Sequence, residues 1–497
     1  MMQPTIATGT TGSRWQIWMD MVLLIILLSL STYFVYFTPQ SYSRVFFIAL
    51  LISFFFTKKD YLWFAFFLII IWTPGYLFSD FSGLSTKRLP LFTFFPGWSF
   101  TPVELFLVLA IVKAIIQGRR FNFELKKPFV PILFYSILLF ALSFFLYGVG
   151  EDSLSSFLVS LSNFSLFFSF SYLVYAEDSV DKFMYLIFPI AFFVIFTQLW
   201  FVATGDEFIN LLSPGFRAII LIQDGMIRPV IGGQMLVFFS YVFALLKLQY
   251  VRKTISVYYL WIIVIVSFLS VFLSATRVWV IMFSFILLCY VLFFKRKFRR
   301  SIELFILTAL IIIILLINVS PFRSNIVGAW ARISEVGQVA QGRFSESSTF
   351  EYRFSVRLPR LLVGLRQNWI VGWGISDTYH IYSDGHVGNF NLLLQVGIVG
   401  FLLFVNFWLC YFRMILNTRR KLRSESIHRN SFLVLIFSFG AILIAHFSTY
   451  SWFGILISRR GGLFLLLFYS ISEFLVRMAK NKDYMDRPRV DLGRLLR

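Results

Sequence analysis

The residues able to do chemistry fall in a few places. His386 lies in the stretch from Trp369 to Gly400, WIVGWGISDTYHIYSDGHVGNFNLLLQVGIVG, just before an apolar run. An imidazole with an ordinary pKa of about 6.5 takes a proton near neutral pH, so His386 is a candidate general base. The plain alternative is a loop histidine that only hydrogen-bonds. His380 has the same chemistry and a poorer position, His428 sits among basic residues, and His446 reads as a satisfied polar group inside an apolar span.

Two arginines stand where spans begin. Arg277 follows Ser274-Ala275-Thr276, which can cap a helix, and Arg228 precedes Pro229, a residue suited to a first helical turn. A helix start offers free N–H groups and about half a positive charge. With a guanidinium at each, two such starts on one face can hold a diphosphate. Arg459 and Arg460 read as anchors or as part of the same surface. The segment YRFSVRLPRLLVGLRQ (352–367) is an amphipathic helix candidate carrying Arg353, Arg357, Arg360 and Arg366, with Pro359 as a flaw. It either lies on headgroups with its arginines solvated or contacts phosphate and sugar. No paired-cysteine, His-Glu-x-x-His or dense carboxylate pattern suggests a metal, and Asp377 and Asp384 read as loop-forming. We expect no metal and no cofactor.

The elements that position these residues are membrane helices. The chain has 497 residues, 59% of them apolar and 20% aromatic, with a mean hydropathy of +0.80. Soluble domains sit at about 45–50% apolar. Runs of about 18 or more apolar residues recur throughout. We read about fourteen spans, near 17–38, 44–57, 61–78, 99–117, 128–147, 154–175, 182–204, 229–249, 255–274, 276–294, 302–320, 389–416, 431–451 and 461–478. The first is retained rather than a cleaved signal. Cys289 and Cys410 fall inside spans and give no disulfide framework.

The net charge of +21 reflects orientation, not nucleic-acid binding. Lys58-Lys59, Arg119-Arg120 with Lys126-Lys127, Arg252-Lys253, KRKFRR (295–300), RRKLR (419–423) and the tail all follow even-numbered spans. Both termini are therefore expected in the cytoplasm. Loops 79–98, 205–228 and 321–388 then lie outside, the second with a partly apolar middle suited to the interface or to re-entry. The last has seven arginines and no lysine. We divide the chain into N-terminal membrane helices (1–204), a central catalytic region (205–416) and C-terminal helices with a basic tail (417–497). There is no internal repeat, and no discontinuous helix is legible.

Three pieces resemble the bacterial O-antigen ligase and O-antigen polymerase superfamily of multispanning glycosyltransferases. SATRVWVIMF (274–283) is similar to its S-x-T-R opening of a span. RLPRLLVGLRQNWIVGWGIS (357–376) is similar to its Arg-rich helix leading into a G-x-G turn. His386, followed eleven residues later by Gly397, is similar to its histidine segment. The resemblance covers about residues 220–405. The family commonly has Asn directly after the histidine, where this chain has Val387, with Asn389 and Asn391 further on.

The resemblance implies an all-α, GT-C-like fold in the bacterial inner membrane, with its active site facing the periplasm. It implies metal-independent, inverting transfer of a glycan from an undecaprenyl diphosphate carrier. His386 would be the base. Arg277, with Arg228 or Arg217, would hold the diphosphate, and Arg353, Arg357, Arg360 and Asn389 are possible glycan or phosphate contacts. A polymerase, working beside a chain-length regulator, is the first expectation. A ligase acting on lipid A core is the second, and a lipid-linked glycan flippase the alternative of another class.

Overall fold

A computed structural model of the chain describes residues 12–72, 89–95, 98–118, 123–149, 151–174, 177–204, 219–223, 226–230, 234–249, 254–274, 276–319, 322–324, 326–328, 330–331, 334, 351–384, 386–422, 429–447 and 461–480. Arg217, His428, Arg459 and Arg460 lie outside the described residues. Apart from two small β-hairpins, the described elements are helical. Among the described residues, six helices are long and apolar enough to cross a membrane, and four shorter ones are apolar. The fold is that of an all-α membrane protein.

The helices α1 (Gly12–Phe37), α2 (Gln40–Phe56), α3 (Asp60–Trp72), α4 (Pro102–Ile116), α5 (Lys126–Leu142), α6 (Glu151–Leu173), α7 (Glu177–Thr204), α8 (Gln234–Lys247) and α9 (Thr254–Leu273) come first. Their charged ends meet at one end of the bundle. Lys113 pairs with Asp60 at 2.6 Å and also donates to Phe54 O and Thr57 O, closing the end of α2. Lys59 pairs with Asp20, Lys182 with Asp178, and Lys247 with Asp181. The starts of α1, α3 and α7 and the ends of α2, α4 and α8 therefore share a side. At the opposite end, Ser270 Oγ of α9 donates to Gln198 Oε1 of α7 at 2.7 Å.

The next element, α10, is assigned without interruption from Arg277 to Ile317, 41 residues. A straight helix of that length would measure about 60 Å. Yet Gln249 Nε2, just beyond α8, donates to Tyr290 OH part-way along it at 2.7 Å. Phe322, five residues past its end, shares a small core with Val202 near the end of α7. The chain has thus returned to the end where Arg277 lies, and α10 must reverse between Tyr290 and Ile317. KRKFRR is the polar interruption in that interval.

The remaining helices are α11 (Leu358–Gln367), α12 (Asp377–Tyr382), α13 (Gly388–Lys421), α14 (Ser431–His446) and α15 (Gly461–Lys480). The last packs on α6, and its Glu473 accepts from Glu124 N at 3.1 Å and Leu125 N at 2.7 Å at the start of α5. The three stretches of sequence set apart above are thus interleaved in space around one core.

Two expectations are corrected here. Arg228 does not open a helix. It lies in a strand (Met226–Val230) paired with the strand Ile219–Gln223 in the register Leu221↔Arg228, and α8 starts later, at Gln234. A residue before a proline is extended in a cap as well as in a strand, so the proline does not choose between them; pairing with the apolar run Ile219–Gln223 carries the extended backbone on through Val230. Pro359 is not a flaw. A π-helical turn (Arg353–Arg357) precedes it, and Leu358 N bonds back to Arg353 O. Pro359 then falls in the first turn of α11, where its missing N–H is not needed.

Candidate functional site

The site is built on a broken helix. In α13, Gly397 has φ 62° and ψ −176°, far from helical values. In an unbroken helix Leu394 O would accept from Ile398 N, and Gln395 O from Val399 N. Here the loop at 369–374 is inserted into those two bonds. Trp373 N donates to Leu394 O at 3.0 Å and Gly374 N to Gln395 O at 2.8 Å, while Ile398 N donates to Trp369 O at 2.9 Å and Val399 N to Ile370 O at 3.2 Å. Four backbone groups freed by the break are thus satisfied, as burial in a membrane protein requires. This corrects the expectation that no helix is discontinuous.

Helix α5 and the π-helical turn that continues it (Ser143–Tyr147) clamp the same loop from the other side. Tyr135 OH donates to Val371 O at 3.0 Å and to Val396 O at 2.8 Å. Ser143 Oγ accepts from Ile375 N at 3.1 Å, and Asn368 Nδ2 donates to Tyr147 OH at 2.9 Å. Tyr135, Ser143 and Tyr147 were not singled out from the sequence. A hydroxyl on an apolar span is a weak signal, because most such groups bond to their own helix.

The loop fixes α11 and α12, and these place the turn before α13. His386 N donates to Asp384 Oδ1 at 2.9 Å, and Asp384 N donates to the buried Asn391 Oδ1 at 2.9 Å. Asp384 is loop-forming, as expected. It also receives Arg357 Nη1 at 3.2 Å, so one carboxylate ties the arginine segment to the histidine turn. The Arg357 guanidinium lies over the Tyr352 ring at 5.0 Å. Helix α10 begins at Arg277, as the Ser-x-Thr start suggested.

Charge couples these groups. Burial lowers the Arg353 pKa, and Arg357 and Arg277 lower it further, against Asp384. The His386 ring has an exposed outer surface. Even so, the protein packed around it disfavours the imidazolium, and Arg357 and Arg353 add to that, so its pKa lies below the usual 6.5, with Asp384 opposing. Arg277, Arg353, Arg357, Asp384 and His386 therefore form one electrostatic unit. Arg353, Arg357 and Asp384 act on the imidazole directly, and Arg277 is coupled to it through Arg353.

The other candidates take different places. Arg360 donates to Ile381 O and so holds the end of α12. His380 is exposed on α12 beside Tyr379. Asn389 lies in the first turn of α13, its Oδ1 2.5 Å from Nδ1 of the buried His446. Sequence reading left His446 as a satisfied buried group and did not see what satisfies it. Among the described residues, no three His, Cys, Asp or Glu side chains gather as metal ligands.

No family model and no curated protein matches the chain. Function is therefore read from the side chains themselves.

The lowered His386 pKa sets a pH dependence. A base must be neutral to act, so rate is full above its pKa and falls as pH drops through it. The acid limb of kcat/KM is expected below pH 6.5. Arg357→Gln removes a positive neighbour and is expected to move that limb upward. A limb that stays in place in this variant would separate the titration from His386.

Proposed function

We propose that the protein is a membrane glycosyltransferase that takes a glycan from an undecaprenyl diphosphate carrier at the outer leaflet of the bacterial inner membrane and extends another lipid-linked glycan. What carries this reading is the placing of Arg353 and Arg357 beside a neutral His386 imidazole, with Arg277 coupled to Arg353. Such a cluster suits an anion with several oxygens, and guanidinium binds phosphate in bidentate fashion.

In the proposed reaction His386 takes the proton from an acceptor hydroxyl. The oxygen attacks the anomeric carbon from the face opposite the carrier, and the bond to the diphosphate oxygen breaks. The leaving diphosphate keeps the electron pair, and the guanidinium groups stabilise its growing charge. The anomeric centre inverts, the proton on His386 passes to water, and no step needs a metal. This revises the expected clamp, with Arg353 and Arg357 taking the place given to Arg228. A GT-C-like span arrangement and the choice of polymerase over ligase rest on the resemblance stated above.

Donor affinity tests the reading. Binding of undecaprenyl diphosphate to purified protein in EDTA is expected to weaken about tenfold to a hundredfold in Arg277→Ala and in Arg353→Ala. Arg277→Lys is expected to be poor too, since ammonium keeps the charge and loses the fork. Unchanged affinity in both alanine variants would leave the arginines as anchors.

Orientation is tested separately. A single cysteine at position 346, in a variant lacking Cys289 and Cys410, is expected to react with an impermeant maleimide on intact spheroplasts. Labelling only after the membrane is breached would place this loop in the cytoplasm and remove the donor from its reach.

One observation favours lipid-linked glycan transport as a second reading, because broken helices often line transport sites. In those sites the freed backbone groups face the cargo. Here the loop at 369–374 takes the four backbone groups at the α13 break. A flippase would move the carrier without new glycosidic bonds, which product analysis distinguishes.

A further inference from the structure

Three residues past His386 begins a neutral pair that the reaction scheme does not use. Asn389 follows His386 by three residues, half-buried in the first turn of α13. His446 is the last residue of α14, with no exposed surface, and its Nδ1 lies 2.5 Å from Asn389 Oδ1. An amide oxygen only accepts, so this approach requires the proton on Nδ1. The terminal torsion of asparagine is broad and roughly two-fold. Without a partner, the amide presents oxygen or nitrogen almost equally. The Nδ1–H decides between them, because turning the amide over would set donor against donor. Its Nδ2 is left directed away from His446, and among the described residues it donates to nothing.

We propose that His446 is a positioning residue. It locks the Asn389 amide so that Nδ2 donates to a hydroxyl or ring oxygen of the incoming sugar. The inference rests on the reading of the site as a glycan-transfer centre. The chemistry separates two classes of ligand group within a few residues. Guanidinium groups suit the charged diphosphate of the donor. A fixed neutral amide beside the base suits an uncharged acceptor, where a further cation would gain little.

The test is sugar binding, read apart from turnover. The probe is the reducing oligosaccharide freed by mild acid from the producing cells' own polyprenyl diphosphate-linked glycans. Its affinity for the full-length protein in detergent is measured by saturation-transfer NMR. Asn389→Ala and His446→Leu are each expected to weaken it about threefold to tenfold, the worth of one hydrogen bond. The double variant is expected to be no weaker than Asn389→Ala, because the histidine acts only through the amide. His446→Asn, which can place a donor near the Nδ1 position, is expected to recover most of the affinity. Undecaprenyl diphosphate binding is expected to hold in all four.

Additive losses in the double variant would overturn the inference, as would sugar affinity that survives His446→Leu. So would a His446→Leu protein that loses donor and sugar binding together while His446→Asn does the same. The expected pattern in a protein that transfers no glycan would keep the sugar subsite and remove the transferase reading, so the two fail separately.

Discussion

Replacing His386 with alanine is expected to lower glycan transfer by about 10²–10⁴, the usual cost of removing a general base. In cells at normal expression that amounts to loss of polymer. The variant is expected to fold, because the side chain is exposed and its backbone, not its ring, makes the bond to Asp384. Undecaprenyl diphosphate is expected to bind it at close to wild-type affinity, since the guanidinium groups stay in place. The pair of measurements separates a base from a ligand-binding residue. Wild-type transfer by His386→Ala would move the base elsewhere, with the exposed His380 on α12 next in line.

Gly397→Ala is expected to be the most destabilising single methyl in the described chain. The backbone there, at φ 62° and ψ −176°, occupies a region essentially reserved for glycine. A Cβ would also run into Ile370 O and the backbone of Val371, which are fixed by their own hydrogen bonds. Strain and overlap together are expected to cost about 3 kcal/mol or more. The loss falls on the loop that carries the site. Glycan transfer and donor binding are therefore expected to fail with stability, unlike in His386→Ala.

Gly372, at φ 82° with its own Cβ position facing Gln395 O and Gly397 N, is expected to behave alike. Gly440→Ala is the control. It lies inside α14, and a Cβ there would meet only Phe285, at 3.6 Å. Thermal melting in detergent is expected to drop steeply for the first two variants and to hold or rise for the third. If Gly397→Ala melts with the wild type, α13 is continuous in the protein and the inserted loop is misplaced.

The sequence by itself determined what depends on neighbours along the chain. Apolar runs mark membrane helices because a bilayer leaves a backbone few other choices. Ser274 and Thr276 announce a helix start at Arg277, and the polar turn before α13 marks His386. Basic loops imply alternation of the spans. Even the local errors were local in cause. Arg228 was placed at a helix start because Pro229 suits a first turn, yet both residues pair in a hairpin with the nearby apolar run Ile219–Gln223.

Tertiary structure alone decided which of these local features meet. Gly372 and Gly374 read as a turn, and Gly397 as part of the span at 389–416. That two of them are the contact surface of a loop and a broken helix follows only from their approach in space. Seven arginines in one loop are equivalent by composition. Asp384 and the π-helical turn bring Arg357 and Arg353 to His386, whereas Arg360 is turned onto the end of α12. His446 and Asn389 stand 57 positions apart, on two helices that meet at one end of the bundle. Periodicity reports which face of a helix is apolar. It carries no information on which polar atom of another helix that face will meet, because that is set by packing over the whole core.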